Sequence, residues 1–142
     1  MVSSAAPIFY VDDDTDDLEL FLEVSRTLEL EVLLFSRGDK MLKTLLNPPP
    51  KPSIVFVDLN MPEISGYEVI ENIKTSEFLN DIPIVVLSTA SDSGSVFKSR
   101  KSGASYYIKK PTSVNQLEQA IKHVMGIDWN KHDCNKHFVH PE

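Results

Sequence analysis

Three short runs of apolar residues constrain the fold of this chain more than any other feature of its sequence. They occupy residues 8–11, 54–57 and 84–87 and are rich in β-branched and aromatic side chains. None alternates with polar residues, as a strand with one face in water would. Such runs are typical of strands covered on both faces, as in a parallel sheet between two layers of helices. The weaker runs 31–35 and 106–108 predict two further strands.

Apolar residues at helical spacing fill the intervals between these runs. The predicted helices lie around residues 18–28, 41–46, 67–73, 96–97 and 117–125. The second must end before the prolines at 48–50, because proline lacks a backbone donor and clashes with the preceding turn. The fourth is weak, since Gly94 loosens its first turn, and Thr112 or Ser113 is the expected N-cap of the fifth. Five successive βα units predict an α/β fold built on a parallel sheet.

Composition and charge exclude several classes of protein. Fourteen Lys and Arg residues against twenty-one Asp and Glu give a net charge of −7, which disfavours direct binding to nucleic acid. The apolar runs are far shorter than the roughly twenty residues of a membrane span. Residues 1–6 do not resemble a secretory signal, and the single cysteine, Cys134, allows no internal disulfide. We therefore expect one soluble domain in the cytoplasm, without membrane contact.

The polar residues that follow the predicted strands are the candidates for function, because ligands of open parallel sheets bind beyond the carboxyl ends of the strands. These residues are Asp12, Asp13, Asp14, Asp58, Asn60, Ser88, Thr89, Lys109 and Lys110. Neighbouring carboxylates repel one another unless a cation joins them. Oxygen ligands without His or Cys favour Mg²⁺ over zinc.

A metal-bound carboxylate beside a lysine and a hydroxyl can accept a phosphoryl group. The metal and the lysine neutralise charge on the transferring oxygens while the carboxylate attacks in line. Taken singly, each aspartate is better explained as a helix N-cap or a solvated loop end. Their combination at the ends of different strands is what indicates a phosphoryl site.

The motifs around these residues resemble the receiver domain of two-component response regulators, particularly the stand-alone type without an output domain. The matching segments are 9–14, 55–62, Gly66, 83–88, 103–104 and 107–111, within about residues 7–126. The resemblance implies a flavodoxin-like, doubly wound (βα)5 sheet with strand order 2-1-3-4-5. It places the receiver domain in residues 1–126 and leaves residues 127–142 as a C-terminal tail that forms no separate domain.

The resemblance also implies roles for the acidic residues. Asp58 would be the phosphoacceptor. Mg²⁺ would be bound by the carboxylates of Asp13 and Asp58, by the backbone carbonyl of Asn60, and through a bound water by Asp12.

Three further residues would respond to the phosphoryl group. Lys110 would pair with it, Ser88 would turn its hydroxyl towards it, and Tyr107 would swing in behind Ser88. The motif spacing favours these three over neighbours of the same types, which are Lys109, Thr89 and Tyr106.

Two other interpretations of the acidic cluster are weaker. Asp12, Asp14 and Asp16 with Glu23 imitate a calcium-binding EF-hand loop, but Asp17 stands where that loop needs glycine. A haloacid-dehalogenase-type phosphatase also has an Asp-x-Asp pair after its first strand. Here Asp16 replaces its usual Thr or Val, and such enzymes usually need a cap domain.

The tail contains four residues that could bind a metal, His132, Cys134, His137 and His140, but they match no strong zinc template. We expect a disordered or loosely docked tail, which Trp129 could anchor to the domain.

The resemblance thus predicts a signalling protein that takes a phosphoryl group from a histidine kinase onto Asp58 and then changes its affinity for a protein partner. It could instead pass the phosphoryl group to a histidine phosphotransfer protein. It would catalyse only its own phosphorylation and dephosphorylation, so we do not expect an enzyme, and we expect a monomer or weak homodimer. A degenerate receiver that only binds partners is a third option, against which the intact residue set argues.

Overall fold

The computed structural model describes residues 6–47, 51–133 and 136–141. Its central sheet has five parallel strands. They are β1 (Ile8–Val11), β2 (Val32–Phe35), β3 (Ile54–Val57), β4 (Ile84–Ser88) and β5 (Tyr106–Lys109). Their order is β2-β1-β3-β4-β5, which confirms the predicted doubly wound (βα)5 fold.

Five helices connect and cover the strands. They are α1 (Thr15–Thr27), α2 (Gly38–Leu45), α3 (Gly66–Lys74), α4 (Ser93–Ser102) and α5 (Val114–Met125). Ser113, rather than Thr112, caps α5 by accepting a hydrogen bond from the backbone N–H of Gln116 at 3.1 Å. The weakly predicted α4 is present because the carboxylate of Asp92 caps its first turn, and Gly103 ends it at a φ of 118°.

The sheet separates two apolar cores, which explains why its central strands do not alternate with polar residues. Every residue of β1, β3 and β4 is buried. Successive side chains point to opposite faces, so Phe9 and Val55 pack towards α2 and α3, whereas Tyr10 and Phe56 pack towards α1 and α5. The edge strand β2 is only partly buried. It corresponds to one of the two weaker apolar runs in the sequence.

The expectation of a disordered or loosely docked tail is wrong for the part of the tail that the structure describes. Phe138 is 4% exposed and belongs to the apolar core next to β5. Val139 forms a parallel bridge with Tyr107. Trp129 does contact the domain, with its ring edge-on to Tyr106 at 6.3 Å. Single side-chain contacts and backbone pairing hold this polar segment in place, and neither helical nor strand periodicity in the sequence reveals them.

Some of the positions named above lie outside the described residues. These are the prolines at 48–50 and Cys134, with any metal-binding role of that cysteine. Within the described part of the chain, none of the helices combines the length and apolar character needed to cross a membrane.

Candidate phosphoryl site

The hydrogen-bond ladder of the sheet continues past the strands and fixes the first residues of the site. The backbone N–H of Asp12 donates to the Phe35 carbonyl at 3.0 Å, and that of Asp58 donates to the Val11 carbonyl at 3.0 Å. Lys110 is held in the same way by the Ser88 carbonyl at 2.8 Å. Adjacent parallel strands therefore deliver these side chains to one edge of the sheet, as ligand sites of such folds require.

Three carboxylates converge at this edge. One oxygen from each of Asp12, Asp13 and Asp58 lies within 4.8 Å of the others. Asp12 is fully buried and Asp58 is 5% exposed, whereas Asp13 lies in solvent at the mouth of the site. The oxygen ligands of one octahedral Mg²⁺ are about 3–4 Å apart and carboxylates are among the ligands it takes, so this donor set is compatible with a site for the ion.

Lys110 supplies the cation that faces these carboxylates. Its Nζ lies 2.8 Å from Asp12 Oδ2, 2.7 Å from Asp17 Oδ2 and 3.8 Å from Asp58 Oδ1. Burial alone would lower the pKa of Lys110, but its hydrogen bonds to Asp12 and Asp17 outweigh burial and raise that pKa. The ammonium is therefore charged throughout the physiological range.

Asp58 has a raised pKa in the folded protein. Burial and the neighbouring charge of Asp12 raise its pKa to about 7, against the opposing effect of Lys110. A cation bound between Asp12 and Asp58 would reverse this balance by stabilising both charges. The raised pKa of Asp58 thus reflects negative charge in a buried place that Lys110 does not fully compensate.

Ser88 ends β4, the strand next to β3, and Tyr107 lies on β5, one strand further from Asp58. Ser88 is fully buried, and its Oγ accepts a hydrogen bond from the backbone N–H of Ala90 at 3.2 Å. Tyr107 is 1% exposed and its hydroxyl donates to the Ala90 carbonyl at 2.5 Å. The ring of Tyr107 therefore occupies the inward position, in contact with the loop that follows β4.

The neighbouring residues of the same types, which the motif spacing disfavours as site residues, lie away from this site. Thr89 and Lys109 are exposed, and Tyr106 packs on the opposite face of the sheet in the core of α1 and α5. Asn60 lies in the loop two residues after Asp58, with an exposed side chain. That exposure agrees with a role limited to its backbone carbonyl.

The loop after Asp58 is held against the site by α3. Ser65 accepts a hydrogen bond from the N–H of Glu68, whose side chain returns to the Ser65 N–H in a capping box. A side chain on Gly66 would clash with the carbonyl oxygen of Asp58 and lie 2.7 Å from the Cα of Leu59. Glycine is required there because α3 packs directly on the backbone of Asp58.

Two residues of this site are not among those predicted from the sequence. Asp17, on the first turn of α1, is the nearest partner of Lys110. Tyr10 donates its hydroxyl to Asp12 Oδ2 at 2.5 Å, and burial together with this charge raises the pKa of Tyr10. Tyr10 could have been identified, because a residue two positions before Asp12 points to the same face of the strand. Asp17 could not, since its contact depends on where α1 begins.

The EF-hand interpretation of the acidic run is wrong, because α1 occupies Thr15–Thr27. Most of the supposed calcium loop is therefore helix. Asp14 caps that helix by accepting hydrogen bonds from the N–H groups of Asp16 and Asp17 at 2.9 and 3.3 Å. Capping of α1 therefore explains the presence of Asp14 in the acidic run.

Fold and site together define a class of protein: a doubly wound five-stranded α/β domain with an acidic, lysine-facing cluster at the carboxyl edge of its sheet. The chain belongs to the response regulator receiver domain family, whose model matches residues 8–122. This confirms the resemblance, and it replaces the haloacid-dehalogenase alternative. Receiver domains act in two-component signalling, where they interact with histidine kinases and downstream partners.

Named relatives agree with this assignment. The two-component response regulator ORR5 of Oryza sativa subsp. japonica is 27% identical over 121 residues, covering 85% of this chain and 90% of the relative. The phosphorylated cyanobacterial phytochrome response regulator RcpA superposes with a TM-score of 0.79 at 29% identity, covering 92% and 97% of the two chains. The Mn²⁺-bound form of response regulator Rcp1 gives 0.75 at 26% identity, covering 89% and 96%.

Proposed function

We propose that this receiver domain accepts a phosphoryl group on Asp58 from a phosphohistidine of a histidine kinase, with Mg²⁺ bound at the site. The observation that carries the proposal is the convergence of the Asp12, Asp13 and Asp58 carboxylates within 4.8 Å, with the Lys110 ammonium facing them. Asp13, at the mouth of the site, would contribute a direct ligand. When bound, Mg²⁺ would neutralise charge on the transferring phosphoryl oxygens.

The transfer would use Asp58 as the nucleophile. A carboxylate oxygen of Asp58 attacks phosphorus in line, and the bond from phosphorus to the histidine nitrogen breaks. The leaving histidine nitrogen takes up a proton from solvent, so the products are an acyl phosphate on Asp58 and a neutral imidazole on the kinase. Later attack by water would release inorganic phosphate and restore the carboxylate, so the chain would act only on itself rather than as an enzyme with a separate substrate.

Lys110 and Ser88 would recognise the new group. Lys110 lies 3.8 Å from Asp58 and would turn from its present carboxylate partners towards the phosphoryl oxygens. The Ser88 hydroxyl would donate to another of these oxygens, and Tyr107 would follow the loop that Ser88 belongs to. These contacts exist only after phosphorylation, so they can shift the domain between two arrangements.

The output would be a protein contact. Phosphorylation would change the affinity for a protein target, or the phosphoryl group would pass on to a histidine phosphotransfer protein. The net charge of −7 supports a protein partner over direct nucleic-acid binding, and we place this signalling in the cytoplasm.

Intact-mass analysis tests the proposal. Incubation with Mg²⁺ and acetyl phosphate should add one phosphate-sized increment to the wild type and none to Asp58→Ala. Asp16→Asn removes an exposed carboxylate from the neighbouring turn and should be labelled like the wild type. Labelling of Asp58→Ala at another residue would refute the assigned acceptor.

A separate titration tests the metal ligands. Asp13→Ala should lose measurable Mg²⁺ binding by calorimetry and should no longer be labelled, because a direct ligand is missing. Unchanged Mg²⁺ affinity in this variant would exclude Asp13 from the site.

A further inference from the structure

The end of the chain adds a strand-like segment to the free edge of β5. The tail segment, residues 136–141, runs parallel to β5 through the Tyr107–Val139 bridge. The backbone N–H of Tyr107 donates to the Phe138 carbonyl at 2.8 Å, and that of His140 donates to the Tyr107 carbonyl at 2.8 Å. An exposed sheet edge offers unpaired backbone groups of this kind to any extended peptide. Here the chain's own tail segment takes that place.

Side chains of the tail segment reinforce this pairing at both tyrosines of β5. Phe138 is 4% exposed, and its ring lies 6.2 Å from that of Tyr107. The guanidinium of Arg100 on α4 lies 5.9 Å from the Phe138 ring centre, so the segment bridges β5 and α4. On the other face, His140 Nδ1 is 2.6 Å from the hydroxyl of Tyr106. The tail segment is therefore docked by packing and by hydrogen bonds.

A short chain of contacts joins the tail segment to the phosphoryl site. Phe138 packs on Tyr107, whose hydroxyl donates to the Ala90 carbonyl at 2.5 Å. The N–H of Ala90 in turn donates to Ser88 Oγ at 3.2 Å. Ser88 is the last residue of β4, and β4 pairs with β3. Asp58 follows directly after β3. This chain of contacts gives a rearrangement of Ser88 a direct route to Tyr107 and to the tail segment that packs against it.

We propose that the β5 edge and α4 form a docking surface for the chain's own tail segment, and that phosphorylation of Asp58 tightens this docking. The proposal rests on the proposed function. A phosphoryl group attracts the Ser88 hydroxyl, and movement of the loop after β4 towards Asp58 leaves more room for the inward ring of Tyr107. Phe138 packs on that inward ring, so both events favour the same arrangement. Coupling between two such sites is reciprocal, and the docked segment must favour phosphorylation equally.

Amide hydrogen exchange of the wild type measures this coupling without any substitution. The N–H groups of Tyr107 and His140 make the two backbone hydrogen bonds of the docked segment, so they are direct reporters. Addition of Mg²⁺ and beryllofluoride, a mimic of the phosphoryl group, should slow exchange at both about fivefold or more. Exchange that is unchanged or faster would overturn the proposal.

A matched pair of substitutions tests the reciprocal effect. Phe138→Ala removes the buried ring, whereas Val139→Ala shortens a neighbouring side chain that is 52% exposed. Phe138→Ala should speed exchange at Tyr107 and His140 and weaken beryllofluoride binding about fivefold, and Val139→Ala should change neither. His140→Ala, which removes the ring that contacts Tyr106 and His123, should give a smaller loss in the same direction. Wild-type affinity in Phe138→Ala would overturn the proposal.

The two proposals fail in different ways. A wild type that neither binds beryllofluoride nor gains mass from acetyl phosphate refutes the proposed function, and the tail coupling with it. A wild type that does both, with exchange at Tyr107 and His140 indifferent to beryllofluoride, refutes the tail coupling alone.

Discussion

The ammonium of Lys110 lies 2.7 Å from the carboxylate of Asp17, nearer than to the carboxylate of Asp58, which is 3.8 Å away. Asp17 stands on the first turn of α1, where the positive end of the helix dipole favours a carboxylate. Lys110 is therefore shared between α1 and the phosphoryl site. Pairing with a phosphoryl group on Asp58 therefore competes with this contact to Asp17.

Asp17→Asn should consequently strengthen the response to a phosphoryl group. A partly exposed ion pair contributes up to about 1 kcal/mol, so we expect beryllofluoride to bind about threefold more tightly in the presence of Mg²⁺. Asp16→Asn makes the same change of charge one residue away without touching Lys110, and it should bind like the wild type. Equal tightening in both variants would indicate a general charge effect and contradict the role of Asp17.

Lys110→Ala should separate metal binding from switching. The carboxylates of the acidic cluster remain, so Mg²⁺ should still bind, whereas the cation that faces the phosphoryl group is lost. We expect beryllofluoride to produce much smaller NMR shifts on α4 and β5 than in the wild type. Lys109→Ala, whose side chain is exposed, is the control and should switch normally.

The pKa of Asp58 predicts how metal-free stability depends on pH. Burial and Asp12 raise this pKa from 3.8 to about 7 in the folded protein. The folded state therefore holds a proton more tightly than the unfolded state does. The stability from this group is fully present below about pH 4 and is lost as pH rises to about 7. The loss is on the order of 4 kcal/mol at most.

Asp58→Asn isolates this contribution because its amide carries no charge at any of these pH values. In urea unfolding with EDTA, the variant and the wild type should be similarly stable near pH 4. The advantage of the variant should grow as the pH rises and level off above about pH 7. An advantage that shrinks with rising pH would contradict the sign of the pKa change. Excess Mg²⁺ at pH 8 should stabilise the wild type more than the variant.

The fold could be predicted from the sequence, whereas the side-chain contacts of Lys110 and the docking of the tail segment could not. Strands such as 54–57 are buried on both faces, and this leaves a continuous apolar run that is visible without structural information. The Lys110–Asp17 contact depends on a side-chain orientation and on the start of α1. The docking of Phe138 pairs Tyr107 with residues about thirty positions later, through backbone groups that every residue possesses. Neither feature leaves a periodic signal.

Gly66→Ala should damage the site through its backbone. A methyl group at this position would meet the backbone of Asp58 and Leu59, which cannot move aside as a flexible side chain would. We expect a loss of about 1–3 kcal/mol in unfolding free energy together with weaker beryllofluoride binding.

Gly94→Ala is the control, because its methyl group would approach only the Asp92 side chain, at 3.3 Å. It lies in α4 and should raise stability by about 0.5–1 kcal/mol. Equal effects of the two substitutions would contradict the close packing of α3 on Asp58.

Ser88→Ala should uncouple phosphorylation from its readout. The acceptor, the acidic cluster and Lys110 all remain, so acetyl phosphate should still label Asp58 in intact-mass measurements. The hydroxyl that would pull the loop after β4 towards the phosphoryl group is gone, and one hydrogen bond to a charged group contributes about 1.5–3 kcal/mol. Turning a 1:99 mixture of two arrangements into 99:1 takes about 5.5 kcal/mol, so losing this bond should leave the population shift incomplete. We expect smaller beryllofluoride-induced NMR shifts at Val96, Tyr107 and Phe138, with Thr89→Ala as the exposed control. Full-sized shifts in Ser88→Ala would show that the signal reaches Tyr107 by another route.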